Sequence, residues 1–299
     1  MPATSFLINP VAGGHRGRTE HPLAERIRAL MPEAEICLTS APGDAERLAR
    51  ERSLDDDRLV VAVGGDGTVH EVARGLVGGR ALMGVLPVGS GNDFARMLLS
   101  PTEPEAALAW FAEAKPRACD VGQVRLQTVA GQVIEGHFVN SLGIGFEAEV
   151  AASAGQAKVF RGFSRYLVAA LVHLFSYRAP EMQLRWNDQA IEDRQFLIAV
   201  GNGQSAGGGF RLTPEAEIDD GKLDLCRADA LPIHRLLRIL PSVLRGTHGR
   251  FAGVHADRIE RISVDCPAGV GVHGDGEILA RDAVRIEVSV LAGALRLLG

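Results

Sequence analysis

Strand-like apolar runs alternate with amphipathic helical patterns through the first third of the chain. The predicted strands are Phe6–Asn9, Glu35–Thr39, Leu59–Val63 and Met83–Pro87. The predicted helices cover Leu23–Leu30, Asp44–Arg52, a segment that begins at Thr68, and Glu103–Ala114. Strands that alternate with helices are typical of βαβ units, whose strands pair in a parallel sheet. The pattern therefore predicts an α/β domain in this part of the chain.

The pattern changes near Val121, after which short alternating segments follow one another between turns rich in Gly, Asp and Pro. The predicted strands here are Gln123–Thr128, Val133–Asn140, Met182–Trp186, Arg194–Val200, Lys222–Ala228, Arg261–Asp265 and Val284–Val290. Two predicted helices, Phe163–Tyr177 and Ile233–Leu244, interrupt them. We therefore expect an N-terminal domain of residues 1–122, completed by a last strand in 288–299, and a β-rich domain of residues 123–287.

Composition and charge narrow the class of protein. The chain has 299 residues, of which 46% are hydrophobic, and its formal net charge is −5, which argues against duplex nucleic acid as a partner. Four scattered cysteines without a CxxC pair indicate reduced thiols, and the N-terminus carries no export signal, so we expect a cytoplasmic protein. The longest apolar run, Tyr166–Phe175, is shorter than the roughly 20 residues that a spanning helix needs, so any membrane contact should be peripheral.

Three strands of the predicted sheet run directly into loops, Asn9–Gly13, Gly64–Gly67 and Gly89–Gly91. Glycine lets the backbone approach an anion closely, and a following helix offers unpaired N–H groups at its N-terminus. Thr68 and Glu71 have capping-box spacing, which predicts a helix start behind the second loop. The alternative is that Gly64–Gly67 is only a tight turn. Neither the P-loop spacing nor the dinucleotide spacing is present, so the common nucleotide motifs do not account for these loops.

Together with further segments, these loops resemble the diacylglycerol kinase catalytic-domain superfamily, which includes bacterial soluble diacylglycerol kinases and sphingosine and ceramide kinases. The matching segments run in order along nearly the whole chain: Asn9–Gly13, Gly64–Val72, Pro87–Arg96, Asp120–Gly122, Gly201–Gly203, Gly207–Gly209, Pro214–Asp224 and Asp275–Glu277. Gly-Gly-Asp-Gly-Thr alone is shared with NAD kinases and phosphofructokinases, whereas its combination with Gly-Asn-Asp-Phe-Ala-Arg and a distal Asp-Gly-Glu is specific to lipid kinases. Ser90 stands where the family usually has Thr, and it retains the hydroxyl.

The resemblance implies an α/β protein with two domains. These would be a three-layer nucleotide-binding domain like that of NAD kinases and phosphofructokinases, and a β-rich sandwich, with the active site between them. ATP and Mg²⁺ are the implied cofactors. The implied nucleotide-binding residues are Asn9, Pro10, Val11, Ala12, Gly13, Thr39, Gly65, Asp66, Gly67, Thr68, Val69, His70, Glu71, Ser90, Asn92 and Asp93. Asp66 would lie beside the phosphates and serve catalysis by organising Mg²⁺, directly or through water.

A hydroxyl nucleophile needs a proton acceptor within hydrogen-bonding reach. Asp275 and Glu277 lie two residues apart in a loop flanked by glycines, which alone reads equally as a hairpin turn, since Asp-Gly is a strong turn signal. The family resemblance favours a catalytic role, with Glu277 as the first choice for the general base and Asp275 as the second.

The segment from 216 to 224 is acidic and resembles the structural Mg²⁺ loop of the family. By that resemblance Glu217 and Lys222 would offer backbone carbonyls and Asp220 its carboxylate, an oxygen set that suits a hard cation. Asp120 matches a family acid and would join the network that Asp66 forms with Mg²⁺ beside the phosphates. The alternatives are a solvated acidic turn for the segment and a strand-end cap for Asp120.

The function that these features imply is ATP-dependent phosphorylation of a hydroxyl on diacylglycerol or a related lipid. The lipid would be taken at a membrane surface, where the mixed apolar and basic helices Phe163–Tyr177 and Ile233–Leu244 are candidates for contact. A soluble kinase of the same superfamily, acting on NAD or a sugar phosphate, is the first alternative. A non-catalytic nucleotide- or lipid-binding protein is the second. The oligomeric state stays open, with a homodimer as one candidate.

Overall fold

The computed structural model describes residues 3–11, 22–56, 58–156 and 163–299. The chain divides into two compact units. The N-terminal unit consists of Met1–Cys119 with Gly293–Gly299, and the C-terminal unit consists of Asp120–Ala292.

The N-terminal unit is built on a parallel sheet in the order β2-β1-β3-β4. Its strands are β1 (Ala3–Ile8), β2 (Glu35–Leu38), β3 (Arg58–Gly64) and β4 (Leu82–Pro87). Its helices are α1 (Pro22–Leu30), α2 (Asp44–Arg50), α3 (Asp66–Leu76), α4 (Asp93–Leu98) and α5 (Pro104–Glu113). The end of the chain's last strand completes the sheet, because Leu297 lies parallel to Met83 of β4.

Three layers form because the central strands bury side chains on both faces, as parallel sheets do. Phe6, Val61 and Val63 share one hydrophobic cluster with residues of α1 and α5. Helices α2 and α3 pack against each other and against β1 and β3. This arrangement brings the carboxyl ends of the parallel strands to one edge of the sheet.

The predicted capping box at Thr68 is wrong, because α3 begins two residues earlier, at Asp66, with Gly65 as its N-cap. The side chain of Thr68 instead covers Gly64, where a built Cβ would lie 2.3 Å from Thr68 Oγ1. Glu71 Oε2 accepts a hydrogen bond from the N–H of Ala45 at the start of α2, at 3.1 Å. Both side chains therefore join neighbouring segments of the unit and do not cap their own helix.

The C-terminal unit is an antiparallel β structure in which nine strands contribute to one hydrophobic core that includes Phe138 and Trp186. The strands are β5 (Pro116–Thr128), β6 (Val133–Phe138), β7 (Ser141–Gly145), β8 (Glu181–Trp186), β9 (Gln189–Gly201), β10 (Leu223–Asp229), β11 (Val254–Ile259), β12 (Arg261–Gly274) and β13 (Glu277–Leu298). The pairing order runs β11-β10-β9-β7-β12-β13, with β8 joined to β9 and β12, and β5 joined to β6 and β13.

Among the described residues, three α-helices accompany these strands: α6 (Phe146–Gln156), α7 (Phe163–Ser176) and α8 (Ile233–Leu244). Helices α6 and α7 pack together around a cluster that contains Phe146 and Phe196, whose rings stack with centroids 4.4 Å apart. Helix α6 and strands β7 and β11 are absent from the sequence prediction, which left these segments unassigned.

Candidate active site

The two glycine loops of the N-terminal unit touch each other, backbone against backbone. They follow β3 and β4, which are parallel neighbours paired up to Gly64 and Pro87. A Cβ built on Gly89 would lie 2.4 Å from the Cα of Gly65, a separation that real Cβ atoms do not tolerate. Glycine is therefore required here by close approach, and the two loops form one surface at the carboxyl edge of the sheet.

Asp66 joins the two loops through its carboxylate. Its Oδ2 accepts a hydrogen bond from the N–H of Asn92 at 2.8 Å, and its Oδ1 accepts one from the N–H of Asp93 at 2.7 Å. Asn92 has a left-handed backbone (φ 56°), and its side chain bonds both the N–H and the carbonyl of Gly89. Asp66 thus caps the start of α4 and fixes the second loop against the first. Its predicted role in organising Mg²⁺ stays a prediction.

The first loop is tied to α3 through Asn9. The Asn9 side chain donates to Thr68 Oγ1 at 3.3 Å and accepts from the N–H of Val11 at 3.1 Å. Thr39, at the end of β2, donates its backbone N–H to the carbonyl of Ile8 at 2.9 Å. Asn9, Thr39 and the two glycine loops therefore meet at one edge of the sheet. Pro10 follows Asn9 there, while Ala12 and Gly13 lie outside the described residues.

The predicted nucleotide-binding residues differ in their solvent exposure. Thr68, Val69 and His70 are buried in the unit, whereas Gly67 and Ser90 are exposed. The groups available to an anion are therefore the backbone N–H groups in the first turn of α3 and the exposed hydroxyl of Ser90 in the second loop. The buried side chains of α3 hold that helix in position.

Asp93 is buried, and its carboxylate pairs with Arg96 Nη1 at 2.9 Å, within α4. Arg96 also donates through Nη2 to the carbonyl of Gly91. The Arg96 side chain is 52% exposed, which makes it a cation at the second loop. Arg96 belongs to a motif of the sequence, but no role of its own was predicted for it. The Gly-Asn-Asp-Phe-Ala-Arg motif, which ends at Arg96, is the sequence feature from which such a role could have been predicted.

In the C-terminal unit, Asp275 and Gly276 form the two-residue turn between β12 and β13. Their φ angles are 48° and 85°, and Gly274 pairs with Glu277 across the turn, as in a type I′ hairpin. This segment is therefore a hairpin turn, as the Asp-Gly sequence indicated. Glu277 is exposed at the first position of β13.

The carboxylate of Asp275 is engaged by the backbone. Its Oδ2 accepts from the N–H of Val139 at 2.8 Å, and its Oδ1 accepts from the N–H groups of Asn140 and Ser141 at 3.0 and 2.8 Å. Three N–H donors occupy lone pairs that a proton acceptor would need. The carboxylate of Asp275 therefore holds the turn, and the choice between Glu277 and Asp275 as the general base stays a prediction.

Asn202 is a buried polar residue of the C-terminal unit for which no role was predicted from the sequence. Its side chain is fully buried and donates to the carbonyls of Asp120 and Val139, each at 2.9 Å. It therefore links the strand that carries Asp120 to the segment that Asp275 holds. The Gly-Asn-Gly sequence after a strand was the signal that could have found it.

The predicted cation loop is a single turn closed by Asp120. Asp120 Oδ2 accepts from the N–H of Gly221 at 2.6 Å, and Asp220 Oδ1 accepts from the N–H of Lys222 at 3.0 Å. Arg258 lies beside this turn, with guanidinium nitrogens 3.4 Å from Glu217 Oε1 and 3.3 Å from Asp220 Oδ2.

Negative charge is in excess at this turn. Burial raises the pKa of Asp224 to about 6, with Arg258 opposing that shift and Asp220, Glu215 and Glu217 adding to it. Among the described residues, no group of three or more His, Cys, Asp or Glu side chains is arranged to hold a metal ion. A site of one carboxylate with backbone carbonyls still fits a hard cation, and the excess charge agrees with it. Mg²⁺ at this turn stays a prediction.

Comparison with known proteins assigns the family. Residues 3–124 match the family described as diacylglycerol kinase catalytic domain, and residues 140–299 match the YegS C-terminal NAD kinase beta sandwich-like domain. A protein of Pseudomonas aeruginosa named "Probable lipid kinase YegS-like" is 34% identical over 268 residues, which are 88% of this chain and 84% of the relative. A diacylglycerol kinase of Mycobacterium tuberculosis is 29% identical over 296 residues, covering 98% of this chain and 93% of the relative.

The same fold occurs in a solved diacylglycerol kinase structure from Bacillus anthracis, with a TM-score of 0.70 and 21% identity, over 99% of this chain and 96% of that one. The chain therefore belongs to the diacylglycerol kinase family. It is a kinase, with an α/β catalytic domain followed by a β-sandwich domain, and the family assignment and the fold class predicted from the sequence are both confirmed.

Proposed function

We propose that the protein transfers the γ-phosphoryl group of ATP to a hydroxyl group of diacylglycerol or a related membrane lipid. The observation that carries this proposal is the pair of glycine loops clamped together by Asp66 at the N-terminus of α3. Catalysis of phosphoryl transfer mainly requires that the protein hold the phosphates in place and stabilise the developing charge. A rigid surface of backbone N–H groups meets that requirement.

The nucleotide phosphates would lie against the first turn of α3, with Ser90 of the second loop and Arg96 of α4 as further donors. The N–H groups there carry the positive end of the helix dipole and do not need to reorganise as charge develops. Bound Mg²⁺ would supply neutralisation of the phosphate oxygens. The chain's own part is to orient the nucleotide, which the Asp66 clamp supports by fixing one loop relative to the other.

The acceptor hydroxyl would lose its proton to Glu277. The position of Glu277, exposed and directly behind a two-residue turn, supports this role. Asp275 supports it indirectly, since its carboxylate binds three consecutive backbone N–H groups and fixes the turn. In this account Asp275 positions the loop and Glu277 takes the proton.

A lipid acceptor would be reached through the faces of α7 and α8, which contact each other. Exposed apolar side chains lie on both helices: Val168, Leu171, Val172, Phe175, Ile233, Leu237 and Leu244. The two helices contain Arg165, Arg235 and Arg238 but neither Asp nor Glu, in a chain whose net charge is −5. Apolar groups edged by cations suit peripheral contact with an anionic lipid surface. Within the described residues, the helices are all too short or too polar to cross a bilayer.

The test is transfer of labelled phosphate from Mg·ATP to a panel of lipids in mixed micelles, with NAD as a soluble acceptor. Glu277→Gln is the informative variant, and Glu260→Gln, which changes another exposed glutamate of the C-terminal unit, is its matched control. We expect a labelled lipid from the wild type and the control, and a loss of about 100-fold or more in Glu277→Gln. Labelled NAD alone would support a soluble kinase, and nucleotide binding without product would support a binding protein.

A further inference from the structure

A buried histidine lies directly behind the turn that carries Glu277. His273 is the penultimate residue of β12, and its side chain is 4% exposed. It pairs with Gly143 of β7 on one side and with Ile278 of β13 on the other. Burial on this scale is uncommon for an imidazole without a specific partner.

Glu147, in the first turn of α6, is the charged group that faces Nε2, although among the described residues neither His273 Nε2 nor Glu147 Oε2 makes a hydrogen bond. Its Oε1 lies 3.5 Å from His273 Nε2, and its side chain is 12% exposed. Gly143 makes room for both groups, because a Cβ built there would lie 2.4 Å from His273 Nε2 and 2.6 Å from the Glu147 carboxylate. The pair therefore fills a space that exists only because residue 143 has no side chain.

The other ring nitrogen of His273 faces the turn. Gly276 donates its backbone N–H to His273 Nδ1 at 3.2 Å. An acceptor at Nδ1 requires the neutral tautomer that carries its proton on Nε2, which is the nitrogen that faces Glu147. The carboxylate favours that tautomer, and the tautomer in turn holds the N–H of the residue before Glu277.

We propose that His273 and Glu147 are positioning residues for Glu277. Glu147 orients the imidazole and fixes its tautomer, and the imidazole fixes the Asp275–Gly276 turn through the N–H of Gly276. The imidazole, which lies behind the turn, thereby fixes the orientation of Glu277. This inference rests on the proposed function, in which Glu277 takes the proton of the lipid hydroxyl. Neither His273 nor Glu147 is required to touch the substrate.

The kinetic test compares two substitutions that differ in one property. The amide oxygen of Asn can occupy the place of Nδ1 and accept the Gly276 N–H, whereas Leu cannot accept it. We expect His273→Leu to lower kcat ten- to a hundredfold, with KM for Mg·ATP unchanged within about twofold, because misplacement of a catalytic group by about 1 Å has effects of that size. His273→Asn should retain kcat within about threefold. Equal losses of kcat in both variants would overturn the proposal.

A double variant separates positioning from general stability. Once Glu277→Gln has removed the base, adding His273→Leu should lower kcat no further, because both changes act on one step. A multiplicative loss in the double variant would mean that His273 acts elsewhere. If the wild type labels no lipid, the proposed function is wrong. That outcome depends on the wild type alone, so it is distinct from the outcomes that test His273.

The tautomer can be measured in the intact wild-type protein, which keeps the proposal testable even if His273→Leu does not fold. The ¹⁵N chemical shifts of the His273 ring, assigned by comparison with His273→Asn, should show Nε2 protonated and Nδ1 bare at neutral pH. Glu147→Gln should weaken that preference and lower kcat less than His273→Leu does. A proton on Nδ1 in the wild type, or an unchanged tautomer and kcat in Glu147→Gln, would contradict the assignment.

Discussion

The contact between the two glycine loops predicts that Gly89→Ala disables the nucleotide site. The new methyl group would lie 2.4 Å from Gly65 Cα and 2.8 Å from Asn92 Oδ1, whereas ordinary van der Waals contact begins near 3.4 Å. One loop must therefore move by about 1 Å, and displacement of that size costs roughly 100-fold in turnover. Overpacking at one position also destabilises a protein by about 1–3 kcal/mol, so most of the protein should still be folded.

The assay is steady-state phosphorylation of the lipid that the substrate panel identifies, together with Mg·ATP binding and chemical denaturation. Gly155→Ala in α6 is the control, because a Cβ there meets nothing within 4 Å. We expect Gly89→Ala to lose both ATP affinity and kcat, and Gly155→Ala to behave as the wild type. If Gly89→Ala kept both quantities within about twofold, close approach of the loops would not be what organises the site.

Three further predictions concern the chain outside the site. Burial raises the pKa of both the Cys37 and Cys226 thiols, that of Cys226 to about 12, and Cys37 is the more exposed of the two. At pH 8, alkylation followed by peptide mapping should therefore label Cys37 first and leave Cys226 protected; rapid labelling of Cys226 would contradict its burial. Glu35 accepts a hydrogen bond from Arg52, which lowers the pKa of Glu35 to about 2. The stabilisation that this interaction gives the folded state is therefore present above pH 4.5 and is lost as the pH falls towards 2. Because Glu35 is half exposed, Glu35→Gln should cost at most about 1 kcal/mol at pH 7 in denaturant unfolding, and a small fraction of that near pH 2.5. An equal cost at both pH values would refute the linkage. Gly122→Ala should lower the melting temperature, because its Cβ would lie 2.0 Å from a core aromatic ring, and wild-type stability would contradict that packing.

Strong hydrophobic periodicity made most of the N-terminal unit predictable. β3 is a continuous apolar run and α3 has a clear apolar face, so both were found within two residues of their bounds. The start of α3 was misjudged because a Thr and a Glu at capping-box spacing imitate a local cap, whereas Gly65 begins the helix. A local pattern cannot reveal that both side chains bond to other segments.

The missed elements of the C-terminal unit have weak local signals. β7 has the sequence Ser-Leu-Gly-Ile-Gly, in which only two residues favour a strand, and it forms because β9 and β12 pair with it on both sides. Helix α6 is rich in Ala, which favours a helix, but it has little amphipathic pattern, and periodicity therefore did not reveal it. For β7, tertiary contacts decide the structure, so propensity alone does not find that strand.

The sequence motifs named the candidate site residues but could not show which contacts each of them makes. From the motifs, Asp66, Asp275 and Glu277 were all predicted to be catalytic carboxylates. The partners of Asp66 are 26 and 27 residues away, and the partners of Asp275 are more than 130 residues away. Only the structure could therefore show that these two carboxylates each hold a segment of backbone, while Glu277 stands exposed.

The measurement that tests the central claim most directly is the transfer of the labelled γ-phosphate of Mg·ATP to lipid by the wild type and by Asp66→Ala, assayed side by side. The account predicts a phosphorylated lipid from the wild type and almost none from the variant, because the two glycine loops lose the clamp that joins them. Near-normal lipid phosphorylation by Asp66→Ala would contradict it.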